Sequence, residues 1–280
     1  MKTPERVELE SHLRELRLPS ILREYERTAQ DAAKGNTSHE AYLLRLCALE
    51  VSDRETRGFA KRVREAKFPS RKTLADFDFP AMPSIDPLAV HRLASCEFLV
   101  KAQNILLVGS SGTGKTHLAT AVAIEACKRK HSVRFFTVSQ LVEALIEARS
   151  ERMLGRLRAR LKKVSLLVLD ELGFVPLPAN GAELLFDVVS DRYERGSIIL
   201  TTNLPFEEWT SVLASEALTH AMLDRLTHHV HILEMNGRSY RLAQSLADRM
   251  EESGPKREVA LPESSPAPSL CESNAEGACD

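Results

Sequence analysis

Apolar positions along the chain fall into two regimes. In the first, Leu13, Leu16 and Leu18, then Ile21, Leu22 and Tyr25, then Tyr42, Leu43, Leu46, Leu49 and Val51 recur at helical spacing among charged residues. That period predicts several amphipathic helices. Pro19 is placed to open one of them at its first turn, and the break Gly35-Asn36-Thr37-Ser38 puts Ser38 where it can cap the next. A small all-α domain over residues 1–70 is the result. Residues 68–87 hold four prolines and the string Phe77-Asp78-Phe79, too many breaks for a long regular element. They read as a linker, residues 71–90, that packs on the core.

In the second regime, short buried-type strands alternate with helices. A helix over 87–99 leads to a strand at 104–108 and a helix at 115–130. A strand at 133–138 is followed by a helix through 149 and a second helical stretch to 163. The remaining elements are a strand at 166–169, a helix at 181–195, a strand at 198–202, a helix at 215–226, a strand at 230–233 and a last helix over 238–250. Such alternation belongs to a parallel sheet, because parallel neighbours need crossovers. The expected fold is therefore α/β, a three-layer core with a five-stranded parallel sheet over residues 91–251, preceded by the all-α domain. Residues 252–280, with four prolines and little to bury, are expected to form a disordered acidic tail.

Composition narrows the class. The 280 residues are 43% apolar, yet no apolar run approaches the roughly 20 residues of a membrane span, and the N-terminus is too charged for a secretory leader. No membrane partner is expected. The five cysteines are scattered, with no CxxC pair, which suggests reduced thiols in a cytosol. The net charge of -1 hides an uneven distribution: residues 1–72 carry 16 Lys/Arg against 12 Asp/Glu, and residues 251–280 carry 2 against 7. Within 54–72, Arg57, Lys61 and Arg64 share one helix face, either an electrostatic footprint or a solvated surface. A second basic stretch, residues 149–163, holds seven basic residues against Glu151. Its Arg152, Arg156 and Arg160 are candidates for phosphate contact. No zinc finger, RNP aromatics or base-reading motif is evident, so double-stranded DNA would be recognised by backbone and shape.

The strongest chemical signal follows the strand at 104–108. Gly109, Ser110, Ser111, Gly112, Thr113, Gly114, Lys115 and Thr116 form a phosphate-binding loop that opens a helix. Its glycines let backbone amides point inward at an anion, Lys115 reaches the β and γ phosphates of ATP, and Thr116 ligates Mg2+. The run 163–171 is a buried strand that ends in Asp170 and Glu171. Asp170 is suited to hold magnesium, largely through water, and Glu171 to orient or deprotonate the attacking water. Asn203 closes the next strand and can contact both γ-phosphate and water, or simply cap the turn before Leu204-Pro205. Of the candidate metal ligands His228, His229 and His231, the last two share a strand face without an evident third ligand, which makes an ordinary strand the expectation. Trp209 reads as a packing anchor.

Together GSSGTGKT, LLVLDELGF, SIILTTNLPFEEW and MLDRLTHHVHILEMNGRSYR, with LRLPSILREY upstream, resemble the AAA+ ATPases. Within them they resemble the IstB-like helper ATPases of bacterial insertion-sequence transposition, over about residues 13–242. DnaC-type loaders of the replicative helicase share the four ATPase motifs and are the alternative; the N-terminal segment and the GRSYR ending look more like the transposition helper. The resemblance implies an AAA+ P-loop fold and ATP hydrolysis to ADP and phosphate, activated by oligomerisation, DNA or transposase. It also implies a homo-oligomer with intersubunit ATP sites, a cognate transposase as partner, and a place in the bacterial cytoplasm at the nucleoid. It casts Arg225 as an arginine finger toward a neighbour's nucleotide; the other reading is a helix arginine paired with Asp224 or Glu216. Arg238 or Arg241 would be the second sensor. A metabolic kinase fits less well, because these residues describe water activation.

Overall fold

The computed structural model describes residues 3–237, 239 and 240. Three helices come first: α1 (Pro4–Glu15), α2 (Pro19–Lys34) and α3 (His39–Ala66). Leu13, Ile21, Tyr25 and Leu46 form a small core among them. Ser38 caps α3, its hydroxyl accepting from the Ala41 amide at 3.2 Å. Helix α2 opens on Pro19 after Leu18, which has no side-chain acceptor for the exposed amides. The acceptor comes from another helix: Glu50 of α3 takes the Ser20 amide at 2.8 Å and the Ile21 amide at 3.3 Å. Glu50 is only 3% exposed. Burial opposes its ionisation, yet those two amides and then Arg54 hold its carboxyl below the ordinary range.

Helix α3 continues beyond this small core. Val63 and Ala66 near its end belong to the main core with Phe77, Met82 and Ile85, which the proline-rich segment carries inward. Next come α4 (Pro87–Ala94) and α5 (Glu97–Val100). The single helix expected over 87–99 is divided because Cys96 adopts φ 64°; the turn lets both Cys96 and Phe98 enter the core.

The sheet is built from β1 (Asn104–Val108), β2 (Val133–Thr137), β3 (Leu166–Leu172), β4 (Ser197–Thr202) and β5 (Val230–Glu234). All neighbours are parallel, in the order β2-β3-β4-β1-β5. Side chains alternate between two cores. Ile105, Leu107, Val168 and Ile199 face α6 (Lys115–Lys128), whereas Leu106, Leu167, Leu169 and Leu200 face the other layer. That layer contains α7 (Val138–Ser150), α8 (Leu154–Lys162), α9 (Ala179–Arg192), α10 (Trp209–Leu213) and α11 (Glu216–Thr227). Both faces are thus buried, as a period of two on a covered parallel sheet requires.

Several boundaries differ from expectation for local reasons. The strand expected over 133–138 stops at Thr137, whose side chain caps α7 in a capping box with Gln140. The helix expected over 181–195 spans Ala179–Arg192 instead, and the one over 115–130 ends at Lys128. Arg192 is 2% exposed; its guanidinium donates to the carbonyls of Leu161, Val164, Ser165 and Ser197, gathering the starts of β3 and β4. Burial lowers its pKa to about 10. Trp209 is fully buried, edge-on to Phe206 at 5.5 Å, which is a packing role. Apart from Ser239 and Tyr240, the helix expected over 238–250 lies outside the described residues, as do Arg238, Arg241 and the 252–280 tail. Among the described residues no helix is long and apolar enough to cross a membrane.

The cross-helix cap gives a direct expectation. Glu50→Ala leaves two amides unsatisfied and lowers the urea-unfolding free energy by about 1–3 kcal/mol, whereas Glu50→Gln loses less. Because the folded pKa of Glu50 is depressed, its contribution is complete above the unfolded carboxylate value of about 4.3 and is lost as pH falls through the lowered folded value. The stability gap between the native chain and Glu50→Gln therefore narrows in acid, read from urea midpoints across pH.

Candidate nucleotide site

The loop after β1 is shaped by glycines at conformations other residues avoid: φ is 83° at Gly112 and 91° at Gly114. Close approach is a second constraint. A Cβ on Gly109 would strike the Met235 carbonyl, and one on Gly112 would strike the Ser239 hydroxyl. The segment after β5 lies against the loop, with the Met235 amide donating to Val108 at 2.7 Å and the Tyr240 amide to Gly112 at 3.0 Å. From the other side, Phe77 packs on Gly114 and meets His117 edge-on at 5.2 Å, while His117 Nε2 sits 2.9 Å from the Thr73 carbonyl oxygen.

Helix α6 begins at Lys115, directly after Gly114, so its unpaired first amides and its positive dipole end face the loop. Lys115 Nζ lies on the rim, donating to Gly109 O at 2.6 Å and Ser110 O at 2.7 Å. Thr113 is buried and closes the loop through Ser110 O at 2.8 Å, while Ser110 and Ser111 face solvent. This cradle fits the phosphates of a nucleotide.

Parallel order brings β3 and β4 beside the loop. Asp170 is 3% exposed, and the Thr116 hydroxyl donates to its carboxylate at 3.0 Å. On the other side Thr201 Oγ1 donates to Asp170 Oδ1 at 2.5 Å. The same Thr201 oxygen accepts the Glu171 amide at 2.9 Å. Thr116 and Asp170 thus present adjacent hard oxygens, the donor type that suits Mg2+ with retained waters. That ion would neutralise charge on the β and γ phosphates.

Between Leu169 and Leu172 the register of β3 slips against β4, and Glu171 takes φ 65°. The irregularity separates two consecutive acids: Asp170 points into the interior and Glu171 stands exposed, a use of bulges common beside active sites. Left-handed backbone at a non-glycine residue costs about 1–3 kcal/mol, which the Thr201 bond helps to offset. Gly173 lets the chain after Glu171 pass against Leu204 and the Asn203 side chain. Asn203 is exposed beside that turn, so loop, acids and Asn203 all gather at the C-terminal edge of the sheet.

Arg225 does not join them. It lines a small cavity with Asn104 and Ile198, at the starts of β1 and β4. At about 3.3 Å per residue the two edges are about 13 Å apart along β1. Its guanidinium lies 4.6 Å over the Phe186 ring and donates to Ala221 O at 2.8 Å. Neither Asp224 nor Glu216 pairs with it among the described residues.

The basic candidates are spread over two surfaces. Arg57, Lys61 and Arg64 are all exposed on α3, with Arg57 3.3 Å from Glu50 and Lys61 3.9 Å from Glu65. Arg152, Arg156 and Arg160 are exposed on and before α8. Their neighbours Arg158 and Lys162 are instead engaged with Asp187 and Asp191.

Sequence reasoning missed Thr201. A polar residue in a fully buried strand next to one carrying an acid was the available signal, but only the register of β3 and β4 makes it a contact. Thr201→Val is expected to lower turnover at least about tenfold while ATP-analogue binding is retained, and Thr201→Ser to restore it. Steady-state rates beside equilibrium binding check this.

The chain matches the family model described as IstB-like ATP binding protein over residues 11–248. It is 38% identical over 232 residues to the insertion sequence IS5376 putative ATP-binding protein of Geobacillus stearothermophilus, covering 82% of this chain and 91% of that one. It is 36% identical over 237 residues to the insertion sequence IS21 putative ATP-binding protein of Pseudomonas aeruginosa, covering 85% and 89%. Among solved structures, AMPPCP-bound DnaA from Aquifex aeolicus aligns with a TM-score of 0.51 at 23% identity, covering 69% of this chain and 59% of that one. That likeness concerns the fold, a P-loop AAA+ core with a five-stranded parallel sheet. With its phosphate loop, buried Asp170 and exposed Glu171 set at one sheet edge, the chain belongs to the IstB-like ATP-binding protein family.

Proposed function

We propose that this protein is the ATPase of an insertion sequence. It assembles on double-stranded DNA, hydrolyses ATP at sites completed by a neighbouring subunit, and recruits or regulates the cognate transposase in the bacterial cytoplasm. The names of its relatives support the insertion-sequence setting. The observation that carries the mechanism is the position of Arg225 at the opposite sheet edge from Lys115 and Glu171.

In this reading the loop amides and Lys115 hold the triphosphate, and Thr116 and Asp170 hold Mg2+. Glu171 accepts a proton from the water that attacks the γ-phosphorus, and Asn203 positions water against γ-phosphate. ADP leaves with the bond between the β-γ bridging oxygen and phosphorus broken. Arg225 from the adjacent subunit stabilises the charge that develops in the transition state, a contribution of about 10^3–10^5 in rate for a finger supplied in trans. Residues 1–70 serve as the DNA- or partner-binding part and residues 91–251 as the ATPase domain. The exposed arginines on α8 and the basic face of α3 bind the DNA backbone.

Three outcomes are expected. Glu171→Gln retains ATP binding and accumulates the ATP-bound assembly, whereas Lys115→Ala loses binding; equal loss in both would overturn the role of Glu171. Subunits carrying Arg225→Ala regain part of their turnover when mixed with Lys115→Ala subunits, because each supplies what the other lacks. Duplex DNA binding requires ATP, and Arg156→Ala with Arg160→Ala lowers the slope of log K against log salt by about 2. Preference for single strands together with co-purification of a replicative helicase would favour a loader instead.

A further inference from the structure

Glu194, His228 and His229 converge on the side of the molecule away from the phosphate loop. Their ligand-type atoms all lie within 4.8 Å of one another. His228 Nδ1 is 3.9 Å from Glu194 Oε1, and the two imidazole centroids are 4.2 Å apart. Glu194 comes from the turn after α9, while both histidines come from the junction of α11 and β5. The cluster is therefore assembled by tertiary structure and differs from the alternating pair expected from the sequence: His229 precedes β5 and joins His228 and Glu194, while His231 meets Gln103 at 3.2 Å.

We propose that Glu194, His228 and His229 form a binding site for a transition-metal dication of the zinc type, distinct from the Mg2+ position beside Asp170. Two imidazoles and one carboxylate are a donor set that Zn2+ takes in four-coordinate geometry with one position left open. Bonds of about 2.0–2.2 Å place tetrahedral ligand atoms about 3.4 Å apart. The three exposed side chains reach that geometry by closing their separations by up to about 1.4 Å. The Tyr193 hydroxyl, 3.0 Å from His228 Nδ1, contacts the same nitrogen that faces Glu194; a metal bound at that nitrogen displaces this hydrogen bond and leaves the hydroxyl beside the ion, where it can hold a bound water.

The surroundings set what the metal does. Arg192, which lines the same cavity, is already bound to the carbonyls of Leu161 in α8, Val164 and Ser165 before β3, and Ser197 in β4, so the turn that carries Glu194 has a fixed base. The same cavity is lined by Tyr193, Glu194, Arg225, His228 and His229. A bound dication joins the α9–β4 turn to the α11–β5 junction and so stabilises the native state by mass action. This site stands on its own ligands and does not require the ATPase reading.

The test is titration of the full chain, freed of metal by a chelator and without nucleotide, with Co2+ and then Zn2+. Nine histidines and five cysteines occur in the chain, so the readout is the difference between variants. The native protein is expected to bind one Co2+ that His229→Ala does not, with the intense visible absorption of a four-coordinate site, and Zn2+ to displace it. Glu194→Gln is expected to weaken that equivalent at least about tenfold. His12→Ala, which alters an exposed imidazole near Glu8 and Glu15, leaves it unchanged. Zn2+ raises the unfolding midpoint of the native chain and of His12→Ala but not that of His229→Ala. All positions substituted are exposed, and circular dichroism confirms each variant is folded before titration. Equal Co2+ stoichiometry and affinity in the native chain and His229→Ala, or no four-coordinate band in the native chain, overturns the proposal.

Discussion

The carboxylate of Asp170 is the point on which the site depends. A charge placed at 3% exposure is costly unless hydrogen bonds replace the lost water. Here the hydroxyls of Thr116 and Thr201 do so from opposite sides. One comes from the first turn of the helix that follows the phosphate loop, the other from the neighbouring strand. The carboxylate therefore links α6, β3 and β4 at the single place where a phosphate and a cation would meet. Thr201 extends the link by holding the Glu171 amide, so the geometry of the exposed acid is set by the buried one.

That arrangement follows from the strand order. Placing β1 and β3 on either side of β4 puts the loop, the acids and Asn203 at adjacent strand ends, the usual ligand edge of an open parallel sheet. Left-handed backbone at Glu171 and positive φ at the loop glycines occur side by side there, and close packing against Met235, Ser239 and Phe77 surrounds the loop. The loop is thus in contact with chain segments both before and after the core. A change in its conformation has direct routes to the proline-rich segment and to the chain beyond β5.

Much of this was legible in the sequence because it is local. The phosphate loop is contiguous, and its spacing carries the chemistry without knowledge of the fold. The run ending in Asp170-Glu171 is equally plain, and alternating elements with short buried strands identify a parallel sheet. What escaped depends on contacts between distant residues. Glu50 caps a helix through an amide 30 residues earlier, Thr201 acts only through the register with β3, and Cys96 breaks a helix to satisfy the core. The basic stretch near α8 read as one patch, but Arg158 and Lys162 are engaged with Asp191 while Arg156 and Arg160 remain exposed. Composition along the chain does not distinguish them.

Under the proposal that a neighbouring subunit completes the ATP site, the decisive measurement is turnover per subunit against protein concentration, across the range in which light scattering records passage from monomer to assembly. Turnover per subunit is expected to rise with assembly, and the low monomer rate to be insensitive to Arg225→Ala. Turnover per subunit that stays constant across that range, with Arg225→Ala lowering the monomer rate, would place the whole site within one chain.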